Sequence, residues 1–217
     1  MYQNTKKYAL TNCTLLDGTE QMQPRTGMSV CIDGTRIAQV VAGNAPAGWR
    51  TIDLGGAYVM PGLINLHVHL PASGKPKKKA SDPKKLVKLI TSNGLMRRIG
   101  VKMCEGYAKT ELLSGVTTIR TVGGVADFDT TIRDLSAAGK ILAPRIAASD
   151  MAVSVPGGHM AGSLAYEAKT PEEAAAYVEK IAEAKPDLIK LMITGGVLDA
   201  EVVGEPGVLR MQPELVK

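Results

Sequence analysis

Residues 61–70 read Pro61-Gly62-Leu63-Ile64-Asn65-Leu66-His67-Val68-His69-Leu70, and this stretch decides how the rest of the chain is interpreted. The run is apolar and lies between two prolines, which is typical of a short buried β-strand. Because side chains alternate across a strand, His67 and His69 share one face, and Leu66, Val68 and Leu70 lie on the other. Two imidazoles on one face can form half of a metal site, or they can be the polar face of a half-exposed strand. Their spacing alone does not decide between these two interpretations.

Two further basic residues stand in unusual surroundings. The chain has three histidines, and the third, His159, follows Gly157-Gly158 in a loop-like run. Lys190 lies within the apolar run 188–193, which leads to Gly195-Gly196. A lysine is rarely fully buried unless it has a partner. Lys190 therefore calls for an explanation from its surroundings or from its chemistry.

Four short motifs follow one another along the chain. They are GLINLHVH at residues 62–69, GVTTIR at 115–120, GGH at 157–159, and Ile189-Lys190 leading to Gly195-Gly196. With these motifs in this order, the sequence resembles the amidohydrolase superfamily, and specifically its imidazolonepropionase-like branch, which includes metal-dependent Xaa-Pro dipeptidases. Each motif is short, but together they cover roughly the whole chain.

The resemblance implies a metal centre. In this family the H-x-H pair binds the more buried zinc, and a lysine on the fourth strand is carboxylated by carbon dioxide, so that its carbamate bridges two zinc ions. The resemblance therefore makes His67, His69 and Lys190 the expected metal ligands, with two Zn²⁺ in a complete site. Elementary chemistry is consistent with this role of Lys190, because apolar surroundings disfavour the charged form of a lysine, and only the neutral amine attacks carbon dioxide. The alternatives for Lys190 are an ion pair with a carboxylate or a side chain that reaches solvent.

The resemblance also implies a reaction, in which a zinc-activated water attacks the carbon of an amide or cyclic amide. Arg120 and His159 are expected on the substrate side, although Gly157-Gly158 can also serve only a turn. The family further needs histidines from strands five and six and an aspartate from strand eight. None of these lies within the chain, so no catalytic residue is assigned. Thr121 stands where many relatives have aspartate, which weakens any substrate assignment.

Composition favours a globular, cytoplasmic protein without nucleic-acid or membrane partners. With 45% hydrophobic residues, the 217-residue chain can build a substantial core. No apolar run approaches the roughly 20 residues of a membrane span, and the first residues lead into a strand instead of a signal-peptide core. The widely spaced Cys13, Cys31 and Cys104 indicate buried thiols, not a disulfide framework or a thiolate zinc site.

The net charge of +5 is concentrated in a lysine-rich stretch, residues 75–88. Such a stretch can form a nucleic-acid patch, but no aromatic residue interleaves these lysines, as stacking on single strands requires. A solvated loop that leads into a helix is therefore expected there.

Residues 1–56 are predicted to form a small β domain of sandwich type. Tyr8 to Leu16 is predicted as a strand, and two further strands flank Asp33-Gly34, a dipeptide suited to a tight hairpin turn. The composition changes at Gly55-Gly56, so the domain boundary is expected near residue 57.

Residues 57–217 are predicted to alternate strands with helices. Helical spacing runs from Leu86 to Leu113, and Gly94 and Gly100 are expected to bend or break that helix. Later strands are predicted at 116–122, 145–148 and 187–192, and later helices at 129–138 and 170–184. Four βα units fit, whereas a closed (β/α)8 TIM barrel takes about 250 residues. The expected α/β fold is therefore the N-terminal half of a TIM barrel, interpreted as a truncated fragment.

Two functional hypotheses follow. In the first, the chain is part of a zinc-dependent amidohydrolase that cleaves an amide, dipeptide or cyclic amide C–N bond, and its partner is the C-terminal half of the barrel or a second copy. Residues at strand ends share one mouth in such a barrel, so the candidates are expected to converge, namely His67, His69, Arg120, His159 and Lys190. In the second, the chain is a catalytically silent fragment that acts as a structural or oligomerising piece. Unpaired strand edges favour association with another chain in either case.

Overall fold

The computed structural model describes residues 7–74, 83–196 and 207–216. The lysine-rich segment 75–79 lies outside the described residues, and part of the predicted charged loop falls on it. The chain divides into two compact units, Met1–Gly62 and Leu63–Lys217. No helix within the described ranges is both long and apolar enough to cross a lipid bilayer.

The first unit is built on one mixed sheet. Its strands are β1 (Tyr8–Leu15), β2 (Arg25–Asp33), β3 (Arg36–Ala42), β4 (Arg50–Asp53) and β5 (Tyr58–Val59). The central strand β1, which confirms the first predicted strand, is antiparallel to β2 and parallel to β4 and β5. β3 pairs with the other edge of β2. All these strands belong to one sheet in the described part of this unit, so the second layer of a sandwich stays a prediction.

The hairpin between β2 and β3 turns one residue later than the sequence indicates. Asp33 pairs with Arg36 at the end of the ladder, so the two turn residues are Gly34 and Thr35. Of these two, only Gly34 has a positive φ, of 61°. Glycine at the first turn position is typical of a type II′ hairpin, which needs no special conformation at Asp33. The predicted Asp33-Gly34 turn is therefore wrong by one residue.

The second unit alternates strands with helices. It contains β6 (Leu63–Val68), α1 (Pro83–Ile90), α2 (Gly94–Leu113), β7 (Val116–Thr121), α3 (Phe128–Ala137), β8 (Arg145–Ala147), β9 (Ala152–Ser154), β10 (Ala165–Glu167), α4 (Pro171–Ala182) and a 3-10 helix (Pro213–Leu215). β6, β7 and β8 form a parallel sheet in that order, as the predicted βα units require. β9 and β10 form a separate parallel pair. The fold of this unit is therefore mixed α/β.

The core of the second unit explains one glycine that the sequence leaves ambiguous. Phe128 and Ile132 of α3 are fully buried in the same cluster as Ile119 of β7. Gly100 lies inside α2 and does not break it. A Cβ at Gly100 would lie 2.7 Å from Phe128 Cε2, so the glycine allows α2 and α3 to pack closely. The expectation that Gly100 breaks the helix is wrong, because α2 continues through it, and a bend at this residue stays a prediction.

Two helices begin at side-chain caps. Asn93 Oδ1 accepts a hydrogen bond from Met96 N at 3.0 Å, so the long helical run breaks just before Gly94, as predicted. Thr170 Oγ1 accepts from Glu173 N at 3.3 Å and starts α4. Both caps satisfy N–H groups that the first turn of a helix leaves without a backbone partner.

β6 is more exposed than the sequence predicts. Leu63, Ile64 and Leu66 are 48%, 63% and 55% exposed, whereas Val68 and Leu70 are buried in the core. β6 stands at the end of the parallel sheet and pairs with β7 alone in the described part of the chain. Apolar side chains on an end strand lack a neighbouring strand that would cover them. The prediction of a buried strand is therefore correct only at the carboxyl end of β6.

The predicted fourth strand, residues 187–192, is reduced to a single parallel bridge between Leu191 and Val153. Earlier in the segment, Asp187 Oδ2 accepts from Ala148 N at 2.8 Å, where a ladder would use a backbone carbonyl. Between these two contacts the chain advances five residues from Ala148 to Val153, but only four residues from Asp187 to Leu191. This mismatch interrupts the ladder in the manner of a bulge. The segment runs where the prediction puts it, but it is not a continuous strand.

Candidate metal centre

Most of the candidate residues from the sequence analysis line one cavity. Its volume is about 250 Å³, and it is lined by His67, His69, His159, Lys190 and residues 191–195. His67 lies on β6 and His69 follows the last residue of that strand, so both stand at the carboxyl end of the parallel sheet. Active sites of parallel α/β folds form at this end. The structure therefore brings four of the five candidate side chains together.

Arg120 is the candidate that does not line this cavity within the described residues. It lies on β7, and its Nε donates a hydrogen bond to the carbonyl of Leu66 on β6 at 2.9 Å. The residue is exposed. In this position the guanidinium links two neighbouring strands beside the cavity.

The two imidazoles of the H-x-H motif face the same side of the chain. Their ring centroids lie 5.3 Å apart in an edge-to-face arrangement with an interplanar angle of 67°. Val68, between them, is buried in the core on the opposite face. The structure therefore agrees with the predicted alternation at His67, Val68 and His69, whereas Leu66, predicted on the same face as Val68, is 55% exposed.

A backbone carbonyl fixes the orientation of the His69 ring. Nδ1 of His69 lies 2.9 Å from the carbonyl oxygen of Gly123, which follows β7. A carbonyl oxygen can only accept a hydrogen bond, so Nδ1 carries the proton. In the neutral ring, Nε2 then has a lone pair available. Histidine ligands of metals commonly make this type of contact through the nitrogen that does not bind the metal.

Both imidazoles favour the neutral form. Burial lowers the pKa of His69, and the hydrogen bond to Gly123 opposes this effect only in part. Burial also lowers the pKa of His67, and the positive charges of Lys190 and Arg120 lower it further. A neutral imidazole is the form that coordinates a metal ion, because protonation removes the lone pair.

Lys190 enters the cavity from the bridged segment. Its carbonyl accepts a hydrogen bond from Val153 N at 2.9 Å, and Leu191 pairs with Val153. The residue is half-buried. The ionisable side chains that line the cavity within the described ranges are all basic, since they comprise three histidines and this lysine. An anionic group would therefore complement the cavity electrostatically.

The glycines around His159 have separate structural tasks. A Cβ at Gly196 would lie 1.8 Å from His159 Nδ1, so only glycine leaves room for the ring. Gly157 has a φ of 70°, and Gly158 N donates to Val155 O at 2.8 Å within the same turn. These contacts support the interpretation of Gly157-Gly158 as a turn, because the Gly158 N–H is already used there.

The donor set fits a metal ion in part. Two neutral imidazoles share one face, and the acceptor on Gly123 directs Nδ1 of His69 away from metal binding. Among the described residues, no cluster of three or more His, Cys, Asp or Glu side chains has the arrangement of a metal site. Because a catalytic zinc usually takes three protein ligands, a ligand of another kind is required. Lys190 lines the same cavity as the two imidazoles.

Sequence reasoning missed two residues that shape this centre, Gly123 and Ser149. Gly123 supplies the acceptor for His69, and its N–H donates to Ser149 Oγ at 2.8 Å. The available signal was the Gly123-Gly124 pair, which follows β7 at the carboxyl edge of the sheet. No comparable pattern marks Ser149, whose role depends on a contact between distant parts of the chain.

Comparisons with known proteins connect this geometry to a family. The sequence profile of the amidohydrolase family matches residues 58–216. The crystal structure of a prolidase candidate from Bifidobacterium longum has 34% sequence identity and a TM-score of 0.68 over 91% of this chain and 43% of that one. A Xaa-Pro dipeptidase with methionine bound in its active site has 26% identity and a TM-score of 0.72 over 97% of this chain and 52% of that one.

A third solved structure supports the fold alone. It is a prolidase in complex with N-methylphosphonate-L-proline, with 22% identity and a TM-score of 0.76 over 97% of this chain and 52% of that one. The chain thus spans about half the length of these structures or somewhat less. No protein in the curated set matches the chain significantly.

Proposed function

Since the chain belongs to the amidohydrolase family, we propose that it supplies one half of the active site of a metal-dependent hydrolase that cleaves the C–N bond of an amide, a dipeptide or a cyclic amide. The observation that carries this proposal is the cavity in which His67, His69 and Lys190 meet at the carboxyl end of a parallel sheet. In this proposal, the second unit is the N-terminal half of a TIM barrel. The share of the solved relatives that the chain spans is consistent with half of such a barrel.

A Xaa-Pro dipeptide is the substrate class that we propose first. The relative with 34% identity is described as a prolidase candidate, and a second relative is a Xaa-Pro dipeptidase.

His67, His69 and Lys190 are the residues that we propose as ligands of a zinc pair. When bound, zinc supplies a water of lowered pKa and polarises the scissile carbonyl. The chain's own contribution is to hold His69 by the Gly123 carbonyl with Nε2 unprotonated. The neutral amine of Lys190 would attack carbon dioxide, form an N–C bond and release a proton. The resulting carbamate is anionic, so its oxygens could act as metal ligands in the way that carboxylate oxygens do.

We place His159 and Arg120 on the substrate side of this centre. His159 lines the cavity together with the two proposed ligands. Arg120 Nε is engaged by Leu66 O, and the guanidinium also carries Nη donors that suit the carboxylate of a dipeptide. In these roles both residues would bind and orient the substrate without taking part in bond cleavage.

A partner is part of the proposal. β6 stands at the end of the parallel sheet, and its Leu63, Ile64 and Leu66 are exposed. An exposed apolar end strand is a template for pairing with another strand. The C-terminal half of the barrel is the partner we propose, and a second copy of the chain is the alternative.

The exposed β6 also favours a second candidate function, that of a catalytically silent structural or oligomerising piece. In that case the cavity has no reaction to support, and association through β6 is the whole role. The two functions differ in what the associated protein does to a dipeptide.

We propose a cytoplasmic location. Cys13, Cys31 and Cys104 are free and buried thiols, which suits a reducing compartment. A small molecule is the expected ligand, and no nucleic acid or membrane is proposed as a partner.

The test is hydrolysis of Xaa-Pro dipeptides by the protein purified from its own cells through a tag on this chain, with any associated polypeptide retained. We expect zinc-dependent release of proline that Lys190→Ala reduces to background. Lys169→Ala is the matched control, because Lys169 is exposed and lies outside the cavity. Mass spectrometry of the same preparation identifies any second chain.

The outcome separates the two candidate functions. Full activity in the Lys190→Ala protein would overturn the proposed metal centre. Absence of hydrolysis, in a preparation that contains a barrel-completing partner and zinc, would favour the silent structural role.

A further inference from the structure

The carbonyl that orients His69 belongs to a residue without a side chain of its own. Gly123 is buried two residues beyond the end of β7, with a φ of 123°. Its carbonyl accepts from His69 Nδ1 at 2.9 Å, and its N–H donates to Ser149 Oγ at 2.8 Å. Glycine can adopt many backbone conformations, so the direction of the carbonyl is set by the bond from Gly123 N to Ser149 on one side and by the bond from Gly124 N to the carbonyl of Asp150, at 2.6 Å, on the other. The position of the His69 ring therefore depends on Ser149.

Ser149 is fully buried and is itself held in place. Its N–H donates to Thr121 Oγ1 at 3.0 Å, and its hydroxyl donates to the carbonyl of Asp150 at 3.3 Å. The same carbonyl accepts from Gly124 N at 2.6 Å. Because the hydroxyl proton of Ser149 is used in this way, its oxygen is left to accept the N–H of Gly123.

The backbone after Ser149 is also fixed from the side of α3. Asp150 has a φ of 55°, a conformation that residues with a side chain rarely adopt. Its Oδ1 accepts from Thr130 N in the first turn of α3 at 2.9 Å. Strained backbone of this kind persists only where its surroundings hold it, and it clusters near functional sites. The segment that carries Ser149 is therefore anchored to both β7 and α3.

We propose that Ser149 is a positioning residue for the metal centre: through Gly123 it fixes the His69 ring, so that Nδ1 carries the proton and Nε2 is left to bind the metal. Ser149 does not line the cavity within the described residues and acts only through Gly123. The proposal rests on the proposed function, because it takes His69 as a metal ligand. Contacts of this kind behind a histidine ligand typically change metal affinity about 10- to 100-fold.

The test compares the wild-type chain with Ser149→Ala, which removes the acceptor of the Gly123 N–H. The first readout is the tautomer of His69 in the metal-free chain, from ¹⁵N chemical shifts of labelled imidazoles at neutral pH. The second readout is zinc affinity by competition with a chelator. Ser29→Ala is the matched control, since Ser29 is equally buried and its hydroxyl donates to Gly43 O in the first unit. Ser149→Cys keeps the shape with a weaker acceptor.

We expect the wild-type chain to hold His69 with its proton on Nδ1. Ser149→Ala should give a mixture of His69 tautomers and about 10- to 100-fold weaker zinc binding. Ser149→Cys should give values of both readouts between those of the wild type and Ser149→Ala. Ser29→Ala should change neither readout. A folded Ser149→Ala protein with an unchanged tautomer would overturn the proposal. If Ser149→Ala does not fold, the same measurement is made on Ser149→Cys, and an unchanged His69 tautomer in that variant would overturn the proposal.

The two readouts separate this inference from the proposed function. A shift of the tautomer in a chain that binds no zinc would leave the positioning role intact and contradict the metal centre. Zinc binding that depends on His69 but not on Ser149, with an unchanged tautomer, would contradict the positioning role alone.

Discussion

The carboxyl group of Asp129 packs directly onto the backbone of Gly124, where a Cβ would lie 2.5 Å from Asp129 Oδ2. Asp129 is fully buried in the first turn of α3, and neither of its carboxyl oxygens has a well-formed hydrogen bond to another described residue. Burial raises the pKa of Asp129 to about 7 against the opposing effect of the nearby Thr121 hydroxyl, and the charge of Asp150 adds to the rise. Asp129 is therefore a buried acid that keeps its proton well above the usual range of an aspartate.

This raised pKa predicts that the contribution of Asp129 to the stability of the folded protein is lost as the pH rises from about 4 to about 7. In that window the unfolded chain releases the Asp129 proton, whereas the folded protein retains it, so unfolding is favoured. Below the window both states are protonated, and above it the loss is complete. The expected loss of unfolding free energy is on the order of a few kcal/mol. Urea unfolding at a series of pH values measures it.

Asp129→Asn keeps the size of the side chain and removes the ionisation. This variant should flatten the pH dependence between pH 4 and 7 and should be more stable than the wild type at pH 8. Asp134→Asn is the control, because Asp134 lies on the same helix but is exposed. An unchanged slope in the Asp129→Asn protein would show that another group carries the pH dependence.

Gly100→Ala should destabilise the second unit by up to about 2 kcal/mol. Alanine favours a helix by about 1 kcal/mol over glycine, but the added Cβ would lie 2.7 Å from Phe128 Cε2, and such overpacking typically costs about 1–3 kcal/mol. Gly106→Ala on the same helix is the matched control, since a Cβ there meets nothing within 4 Å. The control should therefore be stabilised. Denaturant unfolding measures the free energy of unfolding of both variants. If Gly100→Ala were stabilised as Gly106→Ala is, the result would contradict the close packing of α2 on α3.

Gly196→Ala should displace the ring of His159 from the cavity, since the new Cβ would lie 1.8 Å from His159 Nδ1. Gly195→Ala is the control, because its Cβ would make only an ordinary contact of 3.6 Å with Gly207 Cα. The imidazole NMR signals of His159 report the displacement directly. If His159 binds substrate, KM for a dipeptide should rise on the order of tenfold with a smaller change in kcat. Unchanged His159 signals in the Gly196→Ala protein would contradict the geometry.

Leu66→Lys should weaken the association of the chain with itself or with a partner. Leu66 is 55% exposed on the end strand β6, and charge on such a strand opposes pairing. Leu142→Lys is a closely matched control, because Leu142 is 54% exposed but lies outside the strands. Sedimentation velocity measures the association. Equal association of both variants would show that β6 is not the contact surface.

Short-range patterns were enough to predict the parts of the site that lie on one element. The alternation of His67, Val68 and His69 follows from strand geometry, and the structure confirms it. Periodicity and capping signals likewise predicted β6, the helices before β7, β7, α3, β8 and α4 in their order, whereas β9 and β10 were not predicted. The family resemblance, which the match over residues 58–216 confirms, then pointed to Lys190.

Features that depend on contacts between distant residues could not be predicted in this way. The fourth strand is interrupted because the Asp187 side chain takes the place of a carbonyl opposite Ala148. Gly100 reads as a helix breaker until Phe128 is known to pack on it. Gly123 and Ser149 are likewise joined only by the fold. In each case a tertiary contact overrides the local propensity.

The most direct test of the central claim is the zinc affinity of the chain with and without bicarbonate, measured by competition with a chelator. We expect weak binding by the isolated chain that bicarbonate strengthens, because carboxylation of Lys190 would add the third ligand to His67 and His69. Lys190→Ala should remove the effect of bicarbonate, a His67→Ala/His69→Ala double variant should remove zinc binding, and Lys169→Ala should change neither. Stoichiometric, chelator-resistant zinc that depends on neither bicarbonate nor the two histidines would contradict the account.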